Sequence, residues 1–191
     1  MENIYVVAMP AAITTFDSVD DLIAHLRALA TLESDEGLAF SELEHGLQTA
    51  AILESTHPDD LELQVAGLVH DLAHPWDGPG QPDHHRMGAR AVHGLLGERV
   101  AWLVEAHVDA KRYLVATDAD YQAALSPGSV ITLHAQGGPL SPDEVRMVEQ
   151  RPDWDAAVAL RRADDGAKEV GAIVPDLDHW NSALHEVAAG R

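Results

Sequence analysis

Along most of the chain, apolar positions recur three and four residues apart, the spacing of one face of an α-helix. The first run begins after Ser18, a good N-cap, with Asp20 and Asp21 placed where acids favour a first turn. It predicts a helix over residues 18–30. A second helix is expected over 40–54, with Leu43, Leu47, Ala50 and Ala51 on one face. His57, Pro58, Asp59 and Asp60 read as the cap of a third, which carries Val65, Leu68, Val69 and Leu72 and stops near Pro75. The stretch WDGPGQPD, 76–83, is broken by Gly and Pro and reads as a loop. Helices follow over 84–95 and, past Gly97, over 98–109; residues 111–115 lead into shorter helical pieces near 118–125 and 129–134. Ser141, Pro142 and Glu144 stand at the N-cap, N1 and N3 positions of a capping box, opening a helix to about 151. Further helices are expected over 154–163 and 182–188, separated by the loop GAIVPDLDHW. Strand-like patterning is confined to IYVV at 4–7, and there is no repeat or linker composition. The pattern predicts an all-α chain folded as one domain over residues 1–191.

Composition narrows the chemistry. With 191 residues the chain can bury a substantial core. It has no cysteine, so it forms no disulfide and no thiolate metal site, and any metal must take His, Asp or Glu. The formal net charge is -20, from 12 Lys and Arg against 32 Asp and Glu. Such a field disfavours nucleic acid and anionic membranes as partners, and an anionic substrate would need its own local cations. No apolar run nears the roughly 20 residues of a membrane span, and the start MENIYVVAMP lacks the positive n-region of a secretory signal. A cytoplasmic protein is expected, with no oligomeric state specified.

Twelve histidines are many for this length. A single helical histidine is ordinarily a satisfied polar side chain or a surface residue, and His25, His57, His93, His134, His179 and His185 are read so. Four others stand in apolar helical context. His45 lies between Leu43 and Leu47. His70, with Asp71, follows Leu68 and Val69. His85 precedes Met87 and Gly88, and His107 follows Trp102, Leu103, Val104 and Ala106. Each buried imidazole needs a partner, and four with a buried aspartate are costly to leave unpaired. A metal satisfies them together; imidazole and carboxylate without thiolate suit iron, manganese or zinc. Asp71 has two oxygens and can bridge two ions while His70 binds one. A later aspartate in LRRADDG, Asp164 with Asp165 as rival, completes the order.

That order, His45, His70 with Asp71, His85, His107 and Asp164, resembles the HD-domain superfamily of metal-dependent phosphohydrolases in its dinuclear form. The chain is more similar still to one branch, the PhnZ-type mixed-valent diiron oxygenases of phosphonate breakdown. The similarity runs over LEHGLQ (43–48), LVHDLAH (68–74), HRMGA (85–89), HVDAKRYL (107–114), QGGPL (136–140) and LRRADDGAK (160–168), within residues 40 to 180. The resemblance implies a helical HD bundle whose metal-binding core spans about residues 40–168. It implies two iron ions, Fe(II) and Fe(III), with dioxygen as co-substrate. His45, His70 and Asp164 would hold one iron, His85 and His107 the other, and Asp71 would bridge. The phosphonate would be gripped by His74, Lys111, Ser129, Gln136 and Arg161, with Asp71 and His74 nearest the chemistry. Lys111 and Arg161 are also the local cations that an anion site in so acidic a chain requires. The implied reaction oxidises the carbon next to phosphorus of a small organophosphonate, by hydroxylation or carbon–phosphorus cleavage. In one respect the chain departs from the branch: a Tyr and a Glu that meet the substrate amine fall at Asp35 and Leu38, so amine recognition is not carried over. The alternative is a phosphohydrolase of a nucleotide or phosphomonoester, with the same residues around two divalent ions activating water.

Overall fold

Ser18 opens the first helix as the sequence predicts, its hydroxyl accepting the Asp21 amide at 3.1 Å, in a computed structural model that describes residues 15–33, 39–77 and 82–190. The IYVV stretch, Asp35 and Leu38 lie outside the described residues. Helix α1, Val19–Ala28, buries Val19, Leu22, Ile23 and Leu26 and runs into a 3₁₀ turn, Leu29–Thr31. Helix α2, Glu42–Thr56, starts at a full capping box: Ser41 N–H donates to Glu44 at 2.7 Å and Glu44 N–H to Ser41 at 3.2 Å. Helix α3, Leu61–Val69, is capped by the Asp60 carboxylate, which accepts the Leu63 amide at 3.1 Å. It loosens into turns before a short 3₁₀ segment, His74–Trp76, that holds Pro75.

Helix α4, His84–Thr117, is interrupted at Gly97, whose φ of 87° and ψ of 175° suit a residue without Cβ. The break reverses the chain. An unbroken helix would separate His84 and His107 by ~35 Å, yet their Nε2 atoms are 3.1 Å apart. Residues 84–96 and 98–117 are therefore two arms of a hairpin, as the two predicted helices suggested. The second arm continues well past Asp109 because Ala110, Lys111, Leu114 and Val115 are buried on it. Helices α5 (Ala119–Ala124), α6 (Pro127–Ala135), α7 (Pro142–Val148), α8 (Trp154–Gly166) and α9 (Asn181–Ala189) complete the order. Among the described residues the protein is all-α, its β pairing limited to one isolated bridge, Glu33 to Ser41. Among the described residues no helix is long and apolar enough to cross a membrane.

Helices α2, α3, α4 and α8 form the centre, and α1 and α9 add Leu22, Leu26, Trp180 and Leu184 to its core. Two glycines set the closest crossing. A Cβ on Gly46 of α2 would lie 2.6 Å from Leu68 O of α3, and one on Gly67 would lie 2.5 Å from Leu53 Cδ1. Without side chains there, α2 and α3 approach until His45, next to Gly46, reaches the end of α3 that carries His70. On another side Arg99 ties the arms of α4 to both neighbours, bonding Asp60 at 2.6 and 2.7 Å and Asp153 at 2.5 Å.

Candidate functional site

Five imidazoles and two carboxylates converge where the ends of α3 and α8 meet the start of α2 and both arms of α4. His45 Nε2 lies 3.6 Å from Asp71 Oδ2 and 3.3 Å from Asp164 Oδ1. His70 Nε2 lies 3.1 Å from Asp71 Oδ2 and 3.7 Å from Asp164 Oδ2. Asp71 turns its other oxygen to a second group: Oδ1 is 3.4 Å from His84 Nε2, 3.5 Å from His107 Nε2 and 3.3 Å from His74 Nε2. His45, His70 and Asp71 form one set able to hold a metal ion, and Asp71, His84 and His107 a second.

The far side of each ring explains the aim. His45 Nδ1 donates to Ala167 O at 2.9 Å, His70 Nδ1 to Gly67 O at 2.8 Å, and His107 Nδ1 to Val104 O at 2.6 Å. A carbonyl oxygen only accepts, so each Nδ1 carries hydrogen and each ring turns its Nε2, the atom a metal would take, toward the centre. His25 has the satisfied role read for it, its Nε2 donating to Leu72 O at 2.8 Å beside Asp71.

The centre is poised for cations. Burial works against a charge on His70, but Asp71 and Asp164 outweigh it and hold its pKa up at about 9. Burial likewise opposes charge on Asp71 and Asp164. For Asp71 the surrounding imidazoles His70 and His74 outweigh it, and for Asp164 Arg161 and His45 do, so both carboxyls sit well below their usual range. His107 goes the other way, pushed well down chiefly by burial. His70 Nε2 and Asp71 Oδ1 are buried and make no hydrogen bond of good geometry. Buried polar atoms left so are costly, and a field that raises the proton affinity of His70 also attracts metal. The donor set of imidazole Nε2 and carboxylate fits two metal ions sharing Asp71.

His85 is not part of this convergence, and His84 occupies the place expected of it. Neighbours on a helix point about 100° apart. His84 lies one turn before Gly88, on the face where an added Cβ would stand 3.2 Å from Val104 Cγ1 and 3.7 Å from His70 O. His85 is buried behind, its ring centroid 5.5 Å from that of His84 and its Nδ1 without a hydrogen bond. Burial pushes its pKa down to about 3. The spacing H-x-x-x-G was the available signal, since a glycine four residues on marks the side of the helix in closest contact. Between the rival aspartates, Asp164 joins the cluster, whereas Asp165 turns to Arg161 and Tyr121.

The cations stand beside the cluster. Arg161 Nη1 is 2.8 Å from Asp164 Oδ2. Lys111, buried on the second arm of α4, donates to Thr132 Oγ1 at 2.6 Å and to Gln136 Oε1 at 3.1 Å. Burial, reinforced by Arg161, pushes its pKa down to about 7. Ser129 is buried on α6, its carbonyl accepting the Thr132 hydroxyl at 3.2 Å. His74 sits on the rim, its Nδ1 3.1 Å from Glu42 Oε2. Four participants were missed by sequence reasoning: His84, Glu42, Thr132 and Tyr121. The last three are single polar residues on separate elements, with no spacing to betray them.

The model of the HD domain matches residues 43–150, more than half the chain, and the protein belongs to the HD-domain family. Among its relatives is the hydroxymethylphosphonate dioxygenase of Gimesia maris, 35% identical over 171 residues, covering 82% of this chain and 85% of the relative. The glycine-betaine-forming [1-hydroxy-2-(trimethylamino)ethyl]phosphonate dioxygenase of Leisingera caerulea is 32% identical over 145 residues, covering 72% of this chain and 74% of the relative. An uncharacterized protein of Acanthamoeba polyphaga mimivirus is 27% identical over 162 residues, covering 78% of this chain and 73% of the relative.

Proposed function

We propose that this protein is an iron-dependent oxygenase that oxidises the carbon next to phosphorus of a small organophosphonate. The observation that carries the reading is the division of Asp71, one oxygen facing His45 and His70 and the other facing His84 and His107, beside the buried cations Lys111 and Arg161. Two relatives named as phosphonate dioxygenases, each aligned over most of its length, support it. In this reading His45, His70, Asp164, His84, His107 and Asp71 would hold the iron pair, with Asp71 common to both groups of imidazoles. When bound, a mixed-valent Fe(II)/Fe(III) pair supplies the redox capacity to use dioxygen on the carbon bearing phosphorus.

The chain's own residues bind and orient. Lys111 and the Arg161 guanidinium neutralise phosphonate oxygens. Gln136 gives its carbonyl oxygen to Lys111 and so keeps its amide N–H groups for the substrate. The Ser129 hydroxyl is a further donor. His74 Nε2, beside Asp71 Oδ1, meets the anion at the rim of the cluster.

Both named relatives act on phosphonates whose carbon next to phosphorus carries a hydroxyl, and hydroxymethylphosphonate is the probe of choice. Its cleavage with one dioxygen balances as formate plus phosphate. Iron is loaded anaerobically, oxygen is admitted with the probe, and oxygen uptake, phosphate release and the electron paramagnetic resonance signal are followed. Stoichiometric uptake with a mixed-valent signal is expected. Phosphate release from phosphomonoesters without oxygen would instead establish the hydrolase. Arg161→Ala and Lys111→Ala are each expected to raise KM by about 10- to 100-fold, the worth of a charge-assisted hydrogen bond, with iron content unchanged.

A further inference from the structure

Arg161 is buried and more fully engaged than its position beside Asp164 requires. Its Nε donates to the Tyr121 hydroxyl at 3.0 Å and to Asp165 Oδ2 at 3.0 Å, and its Nη2 pairs with Asp165 Oδ1. The Tyr121 hydroxyl in turn donates to Asp165 Oδ2 at 2.7 Å. Asp165 thus takes the Nε–Nη2 edge of the guanidinium in the bidentate manner that matches a carboxylate to that fork. A guanidinium has five N–H groups, and this arrangement commits one edge, leaving Nη1 and the remaining Nη2 hydrogen for the other. Nη1 itself pairs with Asp164 Oδ2 at 2.8 Å, so the second edge lies on the Asp164 side, with one hydrogen on Nη1 and one on Nη2 left for a ligand.

Tyr121 reaches this network from α5, a different element from the α8 turn that carries Arg161 and Asp165. A residue four positions along the same helix would pair with Arg161 in any helical context. The contact from α5 is not of that kind, since Tyr121 is 40 residues away in sequence. Tyr121 is also the group that can satisfy both partners at once, its hydroxyl oxygen accepting from Arg161 while its hydrogen is given to Asp165.

We propose that Tyr121 and Asp165 are positioning residues that fix which edge of the Arg161 guanidinium faces the phosphonate. The proposal rests on Arg161 being the phosphonate-binding cation of the proposed function. Without the pair, the guanidinium turns about its last bonds and loses the alignment of two parallel N–H groups on one phosphonate. Binding weakens while the metal cluster, held by other side chains, is undisturbed.

The test is a double-mutant cycle on the iron-loaded enzyme with hydroxymethylphosphonate, reading KM and kcat by oxygen uptake and Kd by calorimetry without oxygen. Tyr121→Phe keeps the ring and removes only the hydroxyl; Asp165→Asn keeps the shape and weakens the bidentate acceptor. Each is expected to raise KM and Kd about 10-fold with kcat within about 2-fold, in line with the loss of one hydrogen bond to a charged group. In an Arg161→Lys background, where no planar edge remains to orient, Tyr121→Phe is expected to add nothing. An additive loss in that background, or a fall in iron content, would show a role in folding or metal retention and overturn the proposal. A wild-type enzyme that neither binds nor oxidises the probe would instead defeat the phosphonate reading. The orientation claim is then decided by proton NMR of the zinc-loaded protein. An Arg161 Nε–H protected from exchange in the wild type and unprotected in Tyr121→Phe sustains it, and equal exchange in both rejects it.

Discussion

His84 and His85 are chemically identical neighbours with opposite surroundings. His84 Nε2 faces Asp71 and His107, and His85 stands behind it with an unbonded Nδ1. His84→Ala is expected to lose about one metal equivalent per chain, since removing a ligand costs affinity outright, while His85→Ala retains both, as read by elemental analysis of the loaded protein. Lys111 gives a second outcome at this scale. With its pKa lowered to about 7, it is charged below that pH and neutral above it, so attraction for a phosphonate fades as pH rises. The value of kcat/KM, which reports the free enzyme, should therefore fall above pH ~7. Lys111→Met should remove that descending limb and leave any limb due to the substrate's own ionisation. At this scale the sequence was readable where a residue was chemically unusual for its place, as with His70 and Asp71 in an apolar run. It was not readable where two candidates shared a helix turn, because the direction of a side chain depends on what packs around the helix.

Among the elements, the crossing of α2 and α3 fixes the cluster. Gly46 allows it, because any Cβ there would stand 2.6 Å from the Leu68 carbonyl, a backbone atom with no rotamer to yield. Gly46→Ala is expected to destabilise the protein by about 1–3 kcal/mol, the usual cost of overpacking, by urea unfolding. It should also weaken metal binding, since it pries His45 from His70. The caps at Ser18, Asp60 and Ser141 were legible because each is a local hydrogen bond between residues three apart. The helix break at Gly97 was legible as a boundary. Its consequence, two arms bringing residues 84 and 107 together, was not, because one residue's φ and ψ set the direction of everything beyond it.

For the molecule as a whole, a metal held at the cluster would add to the stability. His70 Nε2 and Asp71 Oδ1 are buried without a hydrogen bond of good geometry, and a bound cation would satisfy both. Metal bound to the folded state and not the unfolded chain raises its stability by mass action. Stripping metal with a chelator is expected to lower Tm by about 5–10 °C in calorimetry, a loss of roughly 2–4 kcal/mol at this size, and iron should restore it. An unchanged Tm would mean that the convergent groups are satisfied without metal.

The sequence by itself determined the all-α class, most helix positions, and that any metal here must take His, Asp or Glu, since there is no cysteine. Each follows from local hydrogen bonding, helical periodicity or residue chemistry, which are properties of short stretches. The tertiary structure alone decided that His84 and not His85 meets Asp71, and that Asp164 and not its rival Asp165 joins the cluster. These choices depend on angles of about 100° between neighbouring side chains and on contacts of a few ångströms between elements far apart in the chain. No periodicity encodes such contacts; the packing of glycine against backbone does.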